Sequence, residues 1–151
     1  MAIREIRKDG DEILYKNCRE VTVFDEKLHT LLDDMAETMD MANGVGLAAP
    51  QIGILKKVCV IDVGDGLIEL INPEIIEEKG EQTDVEGCLS FPGKWGEVTR
   101  ANYVKVRAFD RFGDLYEYEG EGLLARAFCH EIDHLSGHVF LEKVSKFVEV
   151  E

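Results

Sequence analysis

No stretch of this sequence reaches the roughly 18 consecutive apolar residues that a membrane-spanning helix needs, so no membrane association is expected. The opening "MAIREIRKDGDE" has no apolar core of the kind a secretion signal carries, and the chain is expected to stay in the cytoplasm. Basic residues are scarce. Seventeen Lys and Arg stand against 31 Asp and Glu, for a net charge of −14. A protein that tracks a phosphate backbone shows the opposite balance, so no nucleic-acid specificity is expected. Paired cysteines are lacking too. Cys18, Cys59, Cys88 and Cys129 are spread out with no short spacing, which reads as reduced thiols rather than a disulfide scaffold. There is no repeat, no low-complexity tract and no linker. With 151 residues, of which 45% are hydrophobic, the chain is expected to form one domain over residues 1–151. A chain of this size buries roughly 70% of its unfolded surface, enough for a core without staples.

The hydrophobic pattern orders the elements. "FDEKLHTLLDDMAETMDMANG" places Leu28, Leu31, Leu32, Met35 and Met39 on one helical stripe. Asp25 is suited to cap its start, and Asn43-Gly44 to stop it. "VGLAAPQIG" is too interrupted by Gly and Pro for a helix. "KKVCVIDV" and "GLIELINPEIIEE" read as strands about a Gly64-Asp65-Gly66 turn. "EVTRANYVKVRAFD" alternates over Val104, Val106 and Ala108, and "RFGDLYEYEG" continues it as a hairpin turning at Gly113. "GEGLLARAFCHEIDHLSG" reads as a second helix ended by Gly137. Clustered strands between two helices favour an α+β fold. Antiparallel or mixed sheets would pack around the C-terminal helix, with one long N-terminal helix.

That second helix carries the chemistry. His130 and His134, at i and i+4, lie one above the other on one face and can share a metal ion, with Glu131 one step round to hold a water. Two histidines need at least one more protein ligand, and a catalytic site leaves a further position open. Position 140, where an extended zinc-protease pattern would put a third histidine, is Phe140. His138 follows the helix-ending glycine, out of phase with the pair, and reads as a surface residue or one that supports the ligands without binding the ion. The best upstream candidate is Cys88 in "EGCLSFPG", a loop between glycines and a proline; a thiolate with two imidazoles suits Zn or Fe. Cys59 lies in an apolar strand and reads as core, Cys18 lies near the N-terminal edge, and Cys129, about 100° round from His130, reads as packing.

"GVGLAAPQIG", "EGCLSFPG" and "HEIDHLSG", in this order, resemble the bacterial peptide deformylases, and the flanks extend the resemblance to nearly full length. It implies an enzyme that removes the formyl group from the N-terminal formyl-methionine of newly made polypeptides. It implies Cys88, His130 and His134 as ligands of one divalent ion, ferrous in the cell, with zinc, nickel or cobalt able to replace it. It implies Glu131 as acid/base, and Gln51 with the backbone N–H of Leu89 as oxyanion donors. Val45, Leu123 and Ala127 match positions that line the methionine pocket. The glycines of Gly44-Val45-Gly46 fit a backbone brought close to an extended peptide.

The chemistry agrees with general principle. A divalent ion lowers the pKa of its water from about 15.7 towards about 7, so hydroxide can attack the formyl carbon while Glu131 carries the proton to the departing amine. A pair between Glu86 and Arg100 could orient the Cys88 loop. Two competing readings are a non-catalytic structural metal site, which would need neither Glu131 nor Gln51, and a general zinc endopeptidase. The partners implied are N-formylmethionyl nascent peptides, met by a monomer. A transient ribosome contact belongs to members with a C-terminal helix; here "VSKFVEVE" is short and acidic. Two positions depart from the family pattern. Cys129 replaces a common Gln and adds an oxidisable thiol, and "FLEK" replaces Phe-x-Asp-Arg. The compact "GLAAPQIG" region and "SFP" resemble the shorter, type 1 members.

Overall fold

The structure, a computed structural model, describes residues 2–149. Helix α1 spans Glu26–Met41. Asp25 caps it, its carboxylate accepting from the Leu28 N–H at 3.1 Å. The predicted stripe is its buried side: Leu28, Leu31, Leu32, Met35 and Met39 are all in the core, each contributing roughly 1.5–3 kcal/mol of burial. The helix stops where Asn43 turns left-handed (φ 57°) and the Gly44 N–H closes back on the Met39 carbonyl at 3.0 Å.

Among the described residues eight strands follow in chain order: β1 Gly46–Ala48, β2 Val58–Ile61, β3 Ile68–Lys79, β4 Gln82–Glu86, β5 Trp95–Arg100, β6 Tyr103–Phe109, β7 Leu115–Glu121 and β8 Val144–Val148. They form a five-stranded sheet in the order β1-β2-β3-β6-β7 and a three-stranded sheet in the order β4-β5-β8. Every pairing between these strands is antiparallel. The hairpin at Gly113 is present, with Phe109 opposite Leu115.

Two expectations are corrected, and one element is added. The single run "EVTRANYVKVRAFD" is two strands in two sheets. It breaks at Ala101-Asn102 because the backbone groups there are used elsewhere. Asn102 N–H donates to Lys79 O, Asn102 O accepts from Gly122 N–H, and Ala101 O accepts from Gln82. The second helix, α2, begins at Gly122, since Gly120 and Glu121 finish β7 against β6. The chain after "FLEK" is a strand, β8, that completes the smaller sheet against β5. The last two residues of the acidic end lie outside the described residues.

Helix α2 spans Gly122–His134 and packs on the five-stranded sheet while touching β5 of the other. Its first two turns, Leu-Leu-Ala-Arg-Ala-Phe, lack β-branched residues and favour helix. Its last residue is His134, three before the glycine read as its stop; a turn carries the chain on to Gly137, which adopts the left-handed conformation (φ 76°). His138 N–H bonds Asp133 O at 3.0 Å, and Gly137 N–H bonds His134 O at 3.2 Å. A side chain at Gly137 would also meet the Tyr15 carbonyl at 2.5 Å. Both histidines of the pair therefore sit in the last turns of a buried helix.

Candidate metal centre and cleft

Two elements bring the donors together. The loop after β4 carries Cys88, and α2 carries His130 and His134. One donor atom from each lies within 4.8 Å of the others. Cys88 Sγ is 3.5 Å from His134 Nε2. His130 Nδ1–H donates to Glu86 Oε1 at 2.6 Å, which leaves Nε2 as its free donor atom. His134 is fully buried, and its Nδ1 has no protein partner. One sulfur and two imidazole nitrogens, converging in a space walled by protein, fit a single Zn- or Fe-class ion with a position to spare.

Only one of the two imidazoles is already in the state a metal ligand needs. Burial, then His130 and Arg100 nearby, push His134 well below the usual imidazole range, so its ring is neutral. Burial alone would lower His130 as well, but Glu131, Cys88 and Glu86 outweigh it and raise it, so an ion binding at Nε2 displaces a proton from that ring. Burial pushes the Glu131 carboxyl up to about 7, against the pull of His130. A carboxyl of that kind can exchange a proton near neutrality.

Glu131 is buried, with Oε2 3.9 Å from His130 Nε2 and Oε1 lacking any protein partner. The strand opposite makes room for it. A Cβ on Gly46 would lie 2.5 Å from Glu131 Oε2 and 2.8 Å from its Cγ, so glycine is required for close approach. Gln51 sits in the short 3₁₀ turn Ala49–Ile52 after β1. Its Oε1 accepts from Ala48 N–H at 2.9 Å, which fixes the amide so that Nε2 must face the loop. There Nε2 donates to Ser90 Oγ at 3.0 Å and approaches Cys88 Sγ at 3.5 Å.

These groups share a cleft of about 520 Å³. Gly44, Val45, Gly46 and Gln51 line one side of it, and Cys88 and Leu89 another. Leu123, Ala127, His130 and Glu131 come from α2, while His134 lies behind the wall. Val45 and Leu123 are half exposed at the mouth, and Ala127 is buried deeper. Leu89 packs on Gly44. A larger hollow of about 790 Å³ along Glu5–Glu12 contains none of these residues and is an open polar surface. As read from the sequence, Cys59 and Cys129 are core residues; Cys18, near the N-terminal edge, is buried in the same core, and His138 is exposed, 3.4 Å from Glu142. Burial pushes the Cys129 thiol up to about 11, which keeps it protonated and poorly reactive.

Glu86 and Arg100 do pair, and they do so in the interior, at 2.6 and 3.2 Å. Hydrogen bonds from His130 and Arg100 overcome burial and hold the Glu86 carboxyl well below the usual range. Three neighbours were not read from the sequence. Arg126 binds Glu86 Oε2 at 2.6 Å; Asp133 binds Arg100 at 2.8 Å; Ser90 takes the Gln51 amide. The signal for Arg126 was its spacing, one turn before His130 on the same face. Lys143 of "FLEK" reaches Asp133 at 3.0 Å, so the departure from Phe-x-Asp-Arg keeps a charge in this network.

An α+β fold that gathers a thiol, two imidazoles and a buried carboxyl at the wall of one cleft has the build of a single-metal hydrolase. Residues 3–149 match the family model for polypeptide deformylase. The chain is 63% identical over 149 residues to the peptide deformylase of Acetivibrio thermocellus, covering 99% of this chain and 88% of that one. It is 64% identical over 144 residues to that of Agathobacter rectalis, covering 95% and 91%. The crystal structure of peptide deformylase from Thermotoga maritima superposes with a TM-score of 0.93 at 44% identity, covering 95% of this chain and 98% of that one. The chain belongs to the peptide deformylase family.

Proposed function

We propose that this chain removes the formyl group from the N-terminal formyl-methionine of newly made polypeptides, as one catalytic domain over residues 1–151. Cys88 Sγ and the Nε2 atoms of His130 and His134 would hold one divalent ion. In the cell we take it to be ferrous iron, with zinc, nickel or cobalt able to occupy the same donors. When bound, such an ion acts as a Lewis acid and makes water a nucleophile at neutral pH.

The chain's own residues do the rest. Glu131 takes a proton at its carboxylate and returns it to the departing amine, a job its burial and its pKa of about 7 suit. Gln51 Nε2–H, aimed by the Ala48 N–H, and the Leu89 N–H donate to the formyl oxygen as charge develops on it. The Gly44-Val45-Gly46 backbone receives the extended peptide, and Val45, Leu123 and Ala127 receive the methionine side chain. The substrate is a nascent chain and the setting the cytoplasm; among the described residues no helix is long and apolar enough to cross a membrane. The protein works as a monomer.

One observation carries this reading: three donor atoms within 4.8 Å, with the buried Glu131 carboxyl, whose Oε1 has no protein partner, beside them. A structural metal site has no use for that carboxyl. The test is formate release from formyl-Met-Ala-Ser by anaerobically purified protein. Rapid turnover is expected. One equivalent of bound metal with no formate would overturn the proposal.

A further inference from the structure

Arg126 lies one helical turn before His130, and its stem lines the cleft. Its guanidinium turns away from the cleft into the interior, where the side chain is 6% exposed. One nitrogen donates to Glu86 Oε2 at 2.6 Å. The other donates to the Val98 carbonyl of β5 at 2.9 Å and approaches Gln82 Oε1 of β4 at 3.4 Å. Gln82 in turn donates to the Gly122 carbonyl, the first residue of α2, at 2.7 Å.

The result is a fully occupied carboxylate. Glu86 Oε1 accepts from His130 Nδ1 and Arg100, and Oε2 accepts from Arg126 and, at 3.2 Å, from Arg100 Nε. A carboxylate has about four lone-pair positions, and all four are taken. Without Arg126, Oε2 keeps only its longest bond, and the carboxylate can swing towards Arg100. The His130 ring, whose Nδ1–H follows Oε1, would swing with it. Glu86 is also the last residue of β4, two before Cys88. The Arg126–Glu86 pair therefore ties the strand that leads to the thiol to the helix that carries both imidazoles.

A purely stabilising role explains this poorly. Burying a guanidinium carries a large desolvation cost, and well-packed apolar groups often serve stability as well or better. We infer that Arg126 is a positioning residue for the metal centre. It sets the separation of the Cys88 loop from α2, and through Glu86 it aims His130 Nε2 at the ion. This rests on the reading of Cys88, His130 and His134 as ligands.

The test uses the Co²⁺-loaded full chain, with chelator competition for affinity and the visible cobalt bands for geometry. Arg126→Met is expected to bind Co²⁺ about 10- to 100-fold more weakly, the range found when residues supporting metal ligands are removed. Its bands should shift while its far-ultraviolet circular dichroism stays that of the wild type. Arg126→Lys is expected to recover part of the affinity, since an ammonium can reach Glu86 but cannot also span to Val98. A folded Arg126→Met with wild-type affinity and spectrum overturns the inference. If that variant does not fold, Arg126→Gln, which keeps the polarity and loses the charge, decides. Weakened binding supports the inference, and wild-type affinity and spectrum overturn it. A wild type that binds no Co²⁺ overturns the ligand assignment itself. Neither readout depends on turnover, so a wild type that holds Co²⁺ yet releases no formate would sink the deformylase reading alone.

Discussion

At Gly46 the missing side chain is a functional feature. The strand passes so close to α2 that any Cβ would displace Glu131. Gly46→Ala should therefore leave the three metal donors in place and move the acid/base. A displacement of about 1 Å at a reacting group can cost on the order of 100-fold in rate. We expect kcat for formyl-Met-Ala-Ser to fall by about that factor with metal content unchanged. Unchanged kcat would mean that the position of Glu131 does not matter. His130, His134 and Glu131 were legible because a helix fixes which residues share a face. Cys88 was legible because the search for a third ligand had few upstream candidates. Arg126 was not, because an arginine in an amphipathic helix reads as a solvated residue. Only the tertiary approach of Glu86 gives it an interior partner.

Among the elements, α1 was read nearly to its ends because its stripe, cap and stop agree. The break at Ala101-Asn102 was hidden because β5 and β6 both alternate, and alternation carries no information about which sheet a strand joins. β8 was hidden for a related reason. It is a half-exposed edge strand whose place is set by β5, not by its own five residues. α1 also anchors the start of the chain. Asp34 accepts from the Ala2 N–H and from Arg4 at 2.8–2.9 Å. Burial would raise its carboxyl, but those hydrogen bonds and the Arg4 charge overcome it and hold the pKa below its usual value. A depressed folded-state pKa means the stabilisation is present above the unfolded value of about 3.9 and is lost as pH falls through the folded one. Asp34→Asn should thus be less stable than wild type at pH 7, with the difference shrinking below about pH 4. Urea melts at both pH values check this. A difference that grows in acid would contradict it.

Across the whole molecule, α2 lies on one sheet and touches the other, and the loop between β4 and β5 completes the site from the smaller sheet. An ion held by ligands from both α2 and that loop binds the folded chain alone, so it should stabilise the whole fold. At a free metal concentration about 100 times Kd the gain is about 2.7 kcal/mol. For a chain of this size that corresponds to roughly 5–10 °C in Tm. Anaerobic chelation should lower Tm by that amount, and re-addition of metal should restore it; an unchanged Tm would place the ion elsewhere or nowhere. The fold class was legible from clustered strands between two helices. The division into two sheets was not, yet it is what lets the site form where they meet the helix.

The most direct measurement is metal content and formate release on the same anaerobic sample of wild type and Glu131→Ala. The account expects about one divalent ion per chain in both, rapid formate release from formyl-Met-Ala-Ser by the wild type, and a fall of about 10²–10⁴-fold in the variant. A variant that keeps wild-type turnover, or a metal-loaded wild type that releases no formate, would contradict it.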